Sequence, residues 1–490
     1  MPDQLSTEPG SRATGVNQAC RVLAIAGILL VATFLLCCSA ASACSTVKLQ
    51  KGDALVYGHN LNANGMDVPG LVFVNKRAVF KQGRSWKELI DRSQANPSSL
   101  RWIARYGSVT FNTFGKDLPD GGMNEAGLYI WEMGLGNEEV VYPTSESLPR
   151  INQMNWMQYV LDNYSALDDA LRSVSEVELD GWGWHFFLGD GNGDCASVDF
   201  VDGKVVIHRG ATMPVPGLFN ALYDREVAVS RYFKGLGGSY EPDLNDREVP
   251  RFVKTAVMLR DYSPAQDAVA YGFRILDQLT VRETPDWSVI FDVRKGTVHF
   301  KTSRHREVKN FSVASLDFSN RTPVMVLDME IEAGGDVSRE FRPFSHEAVR
   351  DVLAQLPLPA QFYGAGGLTR VEFLDRLTHH SDAAALPEAQ YFKGIWRTKA
   401  AASPKDVSWA INIETAGDAV VAEITNSEGY ADRTPVDHLC MIGNRLSFTF
   451  RSTTARAVLE AESVLDGATM RMHLRGIEDD LGTVELRRQE

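Results

Sequence analysis

Cysteine is scarce in this chain, with six residues in 490. Cys20, Cys37 and Cys38 fall within the first 43 residues, which leaves Cys44, Cys195 and Cys440 for the rest. Three thiols cannot build a disulfide scaffold. Blocks of Lys or Arg are absent as well, and the formal net charge is −13. Such a chain is a poor candidate for nucleic acid or anionic membrane surfaces. Beyond residue 43 no apolar run approaches the ~20 residues that span a bilayer. There is no internal repeat. Metal-ligand spacing is also missing: Asp190-Gly191-Asn192-Gly193-Asp194 has the D-x-N-x-D form of a calcium loop but lacks the later bidentate Glu. Lying between two strand-like runs, it reads as a hairpin turn. No cofactor and no metal are expected.

The chain does have a leader. Arg21 heads an apolar run, Val22 to Leu36, and Ala41-Ser42-Ala43 follows in an A-x-A pattern. This order predicts a signal peptide over residues 1–43, and hence a periplasmic or secreted protein. Cleavage after Ala43 would make Cys44 the first residue, with a thiol and a free α-amine on one side chain and backbone. Two other readings compete. Ala41-Ser42-Ala43-Cys44 resembles a lipoprotein box without its usual Leu, which would put a lipid anchor on Cys44. The segment could also stay uncleaved as an anchor, for which it is short. Either one blocks the α-amine.

With 44% hydrophobic and 23% charged residues, the remainder has the composition of a packed globular protein, long enough for two domains. Short strands about tight turns come first: Ser45 to Leu49 and Ala54 to Gly58 around Lys51-Gly52-Asp53, later Trp287 to Asp292 and Thr297 to Phe300 around Lys295-Gly296. Helical patterns run from Asn152 to Tyr164, from Ser165, from Arg251 to Tyr262, from Ser345 to Leu356 and from Thr369 to Leu377. Another is expected to open with Ser263 as N-cap, Pro264 at the first position and Gln266 closing a capping box. Hairpin strands with grouped helices predict an α+β antiparallel layered fold. From Tyr391 the texture turns all-β, with hairpin signals at Gly417-Asp418, Gly443-Asn444 and Asp466-Gly467. About eight strands there predict a small meander barrel. The domains expected are therefore 44–385 and 386–490, with the boundary near Ala385. Cys195 reads as a small buried residue and Trp182 and Trp184 as packing residues.

Hydrolysing an amide needs a nucleophile, a base, an oxyanion hole and a proton for the leaving amine. An N-terminal Cys supplies the first two, because its α-amine titrates near ~7.7–8.0 and can take the thiol proton and return it. The following stretches carry a resemblance: Cys44-Ser45-Thr46, Gly58-His59-Asn60-Leu61-Asn62, Gly70 to Arg77, Arg105 to Asn112, Gly121 to Leu128, Leu218 to Tyr223, Arg251-Phe252 and Trp287-Ser288-Val289. In this order they resemble the choloylglycine hydrolase and penicillin V acylase family of N-terminal-nucleophile amidases, across Cys44 to Thr302. The resemblance implies an αββα sandwich for 44–385. It implies Cys44 as nucleophile, Asn220 as an oxyanion-hole amide and Arg251 as the cation of the charge network. His59 stands where the family usually has Arg, and Asn62 where it has an Asp that holds the α-amine. Asn62 can accept a hydrogen bond but lacks the charge that favours an ammonium. Asn124 matches a turn residue.

These residues predict an exported cysteine amidase for a small linear N-acyl amide, of the bile-salt, penicillin V or acyl-homoserine-lactone class. The competing prediction is a lipid-anchored or catalytically silent envelope protein that binds an apolar ligand. The only partner expected is the small-molecule amide, and a homo-oligomer is left open.

Overall fold

The computed structural model describes residues 44–490 apart from 64–65, 91–99, 136–138, 281–284, 359, 361–362, 382–390, 399–406, 455–456, 477–479 and 490. The predicted leader and the boundary near Ala385 lie outside the described residues.

Two sheets stack face to face. The first has seven strands, in the order Gly217–Leu218, Ser45–Lys51, Ala54–Leu61, Trp287–Asp292, Thr297–Thr302, Lys309–Ser312 and Gly335–Asp336. The second has nine: Lys204–Arg209, Cys195–Val201, Trp184–Gly189, Tyr129–Gly134, Gly121–Asn124, Ser108–Asn112, Leu71–Asn75, Met325–Asp328 and Arg342–Pro343. Nearly all pairings are antiparallel. Helix Ala268–Gln278 covers the first sheet, where Asn60 Nδ2 donates to the Leu276 carbonyl at 2.8 Å. Helix Gln153–Asn163 covers the second. The result is helix, sheet, sheet, helix: the αββα sandwich.

Aromatic side chains fill the space between the sheets. Tyr57 stacks on Tyr129 at 4.7 Å, and Trp131, Trp287, Phe111 and Phe291 pack around them. Each such pair adds about 0.5–1.5 kcal/mol beyond its buried area. Gly121 makes room for this layer, because a Cβ there would run into the Trp131 ring.

Local signals set the element ends. Asn152 caps Gln153–Asn163, and the Thr369/Glu372 capping box opens Arg370–Thr378. The Ser263 cap is a correction. Ser263 and Gln266 close only a turn, and the helix begins at Ala268 with Asp267 accepting from Ala270 N–H. Ala265 and Gln266 are exposed, and the buried face starts with Ala268 and Val269. A cap without an apolar face behind it does not sustain a helix. The Asp190–Asp194 stretch is a turn in which the Asp190 carboxylate accepts from the backbone N–H groups of 192, 193 and 194.

Eight strands between Gly394 and Arg488 form a closed barrel with a separate apolar core. Along Val458–Asp466 every second residue, Leu459, Ala461, Ser463 and Leu465, is buried. The barrel is joined to the sandwich by backbone. Its strand Thr434–Ile442 pairs with Arg101–Ile103, which pairs with Phe80–Gln82, and Phe80 and Ile103 belong to the barrel core. Cys44, Cys195 and Cys440 form no disulfide with one another, and Cys195 is half-buried.

A buried ion network lies under this joint. Lys81 Nζ is 2.8 Å from Asp117 Oδ1 and 2.9 Å from Asp162 Oδ2, and Lys116 is 3.1 Å from Asp418 Oδ2 on a barrel hairpin. Burial alone would lower Lys81 and raise Asp117. The facing charges outweigh it, holding Lys81 above its ordinary value and Asp117 down at about 2. Replacing Lys81 by Met is expected to cost about 3–5 kcal/mol at neutral pH, since it strands buried carboxylates. Asp117 contributes stability above its unfolded value of ~3.9 and loses it as pH falls through about 2. The gap between variant and wild type should therefore narrow in acid. Urea unfolding at several pH values measures both, and a gap that is flat with pH would contradict the assignment.

Candidate active site

Strand alternation decides where each candidate side chain points. In Ala54–Leu61, Tyr57 and His59 face the second sheet, and Asn60 faces the helices. The opening strand runs antiparallel, with Ser45 opposite Asn60 and Thr46 opposite His59. Continuing that register brings Cys44 level with Leu61, at the end of the hairpin away from its turn. Asn62 lies one step further and is buried.

Arg251 reaches this point from the first position of helix Arg251–Asp261. Its Nη1 donates to the Cys44 carbonyl at 2.5 Å and to Ser45 Oγ at 3.0 Å, and its Nη2 donates to Asn220 Oδ1 at 2.9 Å. Asn220 Nδ2 donates in turn to the Gly134 carbonyl at 2.6 Å. A cation at a helix N-terminus opposes the helix dipole, so these polar contacts are what hold it there. Burial lowers the Arg251 pKa, against the Glu226 carboxylate and the Cys44 sulfur, which raise it. The guanidinium also lies 5.5 Å from the centre of the Phe219 ring.

Three of the five expected residues, Cys44, Asn220 and Arg251, are thus tied together. His59 is elsewhere. Its ring stacks on Trp131 at 4.3 Å, and its Nδ1 is 2.7 Å from Thr46 Oγ1. Burial drives its pKa well below the ordinary value, so the imidazole is neutral. No hydrogen bond joins it to Cys44, Asn220 or Arg251 among the described residues. Asn62 leads into a segment that Asp286 pins, its carboxylate accepting from Ala63 N–H at 2.6 Å and Val68 N–H at 2.9 Å. Asn124 is structural. Its amide donates to the Leu161 and Tyr164 carbonyls and accepts from Ala126 and Leu128 N–H.

Sequence reasoning missed Ser45 and Gly134, which complete the polar cluster. Neither carries a motif of its own; Ser45 is marked only by its place next to Cys44. It also missed a buried acid pair on the far side of the second sheet. Burial raises Asp120 to about 7 and pushes Glu132 well up, with Asp120 adding to the rise. Trp182 and Trp184 belong to an aromatic cluster with Trp86 and Phe114. No group of three or more His, Cys, Asp or Glu side chains able to hold a metal lies among the described residues.

Comparison with known proteins bears on the fold and the relationship of the chain. No protein-family model matches the chain. A penicillin V acylase of Pectobacterium atrosepticum is 29% identical over 196 residues, 36% of this chain and 51% of that protein. The chain therefore spans about half the length of the curated relative it matches. The solved structure of a penicillin V acylase from Agrobacterium tumefaciens covers 62% of this chain and 98% of its own, with a TM-score of 0.52 and 24% identity. The structure of a conjugated bile acid hydrolase variant from Clostridium perfringens covers 60% of this chain and 99% of its own, with a TM-score of 0.46 and 15% identity. By sequence the chain is a homologue of penicillin V acylase, and by fold it matches the penicillin V acylase structure.

Proposed function

We propose that the protein is an exported cysteine amidase that hydrolyses the carbon–nitrogen bond of a linear N-acyl amide. Cleavage after Ala43 frees the Cys44 amine. That amine takes the thiol proton, the sulfur attacks the amide carbon, and the tetrahedral oxyanion is met by the Asn220 amide. Collapse breaks the C–N bond, and the proton held on the α-amine goes to the leaving nitrogen. Water then hydrolyses the thioester, releasing the acid and restoring the thiol. Arg251 steadies the negative charge that develops beside it and keeps Cys44 and Asn220 in register.

The observation that carries this reading is the single guanidinium that joins the Cys44 carbonyl to the Asn220 side chain. The sequence relative bearing the name penicillin V acylase supports the amide chemistry. The substrate class is a small amide such as penicillin V, a bile-salt conjugate or an acyl-homoserine lactone.

The buried, neutral His59 and the uncharged Asn62 favour a second reading, a lipid-anchored or silent binding protein of the envelope. Intact mass and N-terminal sequencing of the exported protein separate the two. A chain that begins at free Cys44 is the expected result. A lipid on Cys44 or a retained leader would overturn the amidase reading, because the base would then not exist.

A further inference from the structure

Asn220 sits in the segment after strand Gly217–Leu218, and a second pair of side chains grips that segment from the other sheet. His185 and Asp199 lie on neighbouring strands of the second sheet, and both are buried. His185 Nδ1 is 2.6 Å from Asp199 Oδ1, and His185 Nε2 is 2.6 Å from the Phe219 carbonyl oxygen. Asp199 Oδ2 accepts the Tyr223 N–H at 3.1 Å. The pair thus holds the peptide group before Asn220 and the one three residues after it.

We infer that His185 and Asp199 are a positioning pair for Asn220, aiming its amide at the oxyanion. The inference rests on the amidase reading. A carbonyl oxygen can only accept, so Nε2 carries a hydrogen. Nδ1 then faces a carboxylate, so one more proton is shared between Nδ1 and Oδ1. Asp199 holds that proton in place and with it the tautomer that grips Phe219. A carboxylate orienting an imidazole in this way is a known means of fixing which ring nitrogen bears hydrogen. Among the described residues, the titratable and charged groups around the pair include His208, Asp224, Glu226 and Arg251. His208 Nε2 lies 3.9 Å from Asp199 Oδ2 and 3.8 Å from Asp224 Oδ1, too far for a hydrogen bond to either. Burial raises the Glu226 pKa, and the nearby Arg251 and His185 act against that rise.

The test is a double-mutant cycle on the processed protein, with whichever of penicillin V, glycocholate or N-hexanoyl-homoserine lactone it hydrolyses fastest. His185→Ala should lower kcat about 10–100-fold, the usual cost of removing an orienting partner, with KM changed less than about threefold. In an Asn220→Ala background the same change should cost less than about threefold, because the residue it positions is gone. Alkylation of Cys44 by iodoacetamide should be unaltered. Asp199→Asn guards against a misfolded His185→Ala. Its amide oxygen can take the Tyr223 N–H while its NH2 donates to Nδ1, which keeps the hydrogen on Nε2 facing the Phe219 carbonyl. Its kcat should therefore stay within about threefold of wild type, whereas Asp199→Ala should lose as much as His185→Ala. Additive effects in the cycle, or an Asp199→Asn variant as impaired as Asp199→Ala, overturn the positioning role. A Cys44→Ala control keeps the two readings apart: turnover that survives in it overturns the amidase reading itself.

Discussion

Replacing Cys44 by alanine is expected to lower amide turnover by at least about 10⁴-fold, the scale at which nucleophile removal acts in hydrolases that keep their binding and oxyanion groups. The fold should survive. Cys44 precedes the first strand, its carbonyl still accepts from Arg251, and only a sulfur is lost from a small buried side chain. Far-UV circular dichroism and the melting temperature should match wild type while steady-state rates collapse. Cys44→Ser keeps the amine and puts a weaker nucleophile on it, so it should fall between the two. Unchanged turnover in Cys44→Ala would end the proposal, because nothing else in the cluster offers a nucleophile that a neighbouring base could activate. The Ser45 hydroxyl beside Cys44 accepts from the Arg251 guanidinium.

Local signals made the hairpins and most helix starts legible from the sequence. Turns at Lys51-Gly52-Asp53, Lys295-Gly296, Gly417-Asp418, Gly443-Asn444 and Asp466-Gly467 each separate two paired strands in the structure. The Ser263 cap misled because capping is a local preference, while a helix persists only where a face is buried. The polar site was legible only as a set of residue types. The contact between Arg251 and Cys44 closes over 207 positions, and that between Asn220 and Gly134 over 86. No periodicity encodes such closures. His59 shows the limit in another way. The resemblance implies a charged role at that position, yet the alternation Tyr57-His59-Leu61 turns this side chain toward the inter-sheet aromatics, where a charge is costly. The strand Gly217–Leu218, which sets the segment of Asn220 beside the opening strand through Thr46 and Val47, is two residues long and carries no pattern to read.

Asn220→Ala is the second large effect, expected at about 10²–10³-fold in kcat, or about 2.7–4 kcal/mol, with KM little changed. The geometry gives the reason. Asn220 Oδ1 is taken by Arg251, which fixes which end of the amide carries the hydrogens. One Nδ2 hydrogen goes to the Gly134 carbonyl, and the other is left for an oxyanion. Alanine removes that donor and also frees one arm of Arg251, so part of the loss is disorder of the guanidinium. Asn220→Asp separates these contributions. A carboxylate keeps Arg251 in place, and more tightly, but it has no hydrogen to give and sets a negative charge against the oxyanion and the Gly134 carbonyl. If the donor is what matters, the Asp variant should be at least as impaired as the Ala variant, although its guanidinium is better held. An Asp variant that recovers most of the activity would instead make Asn220 a tether for Arg251, and the oxyanion would have to be met by other groups.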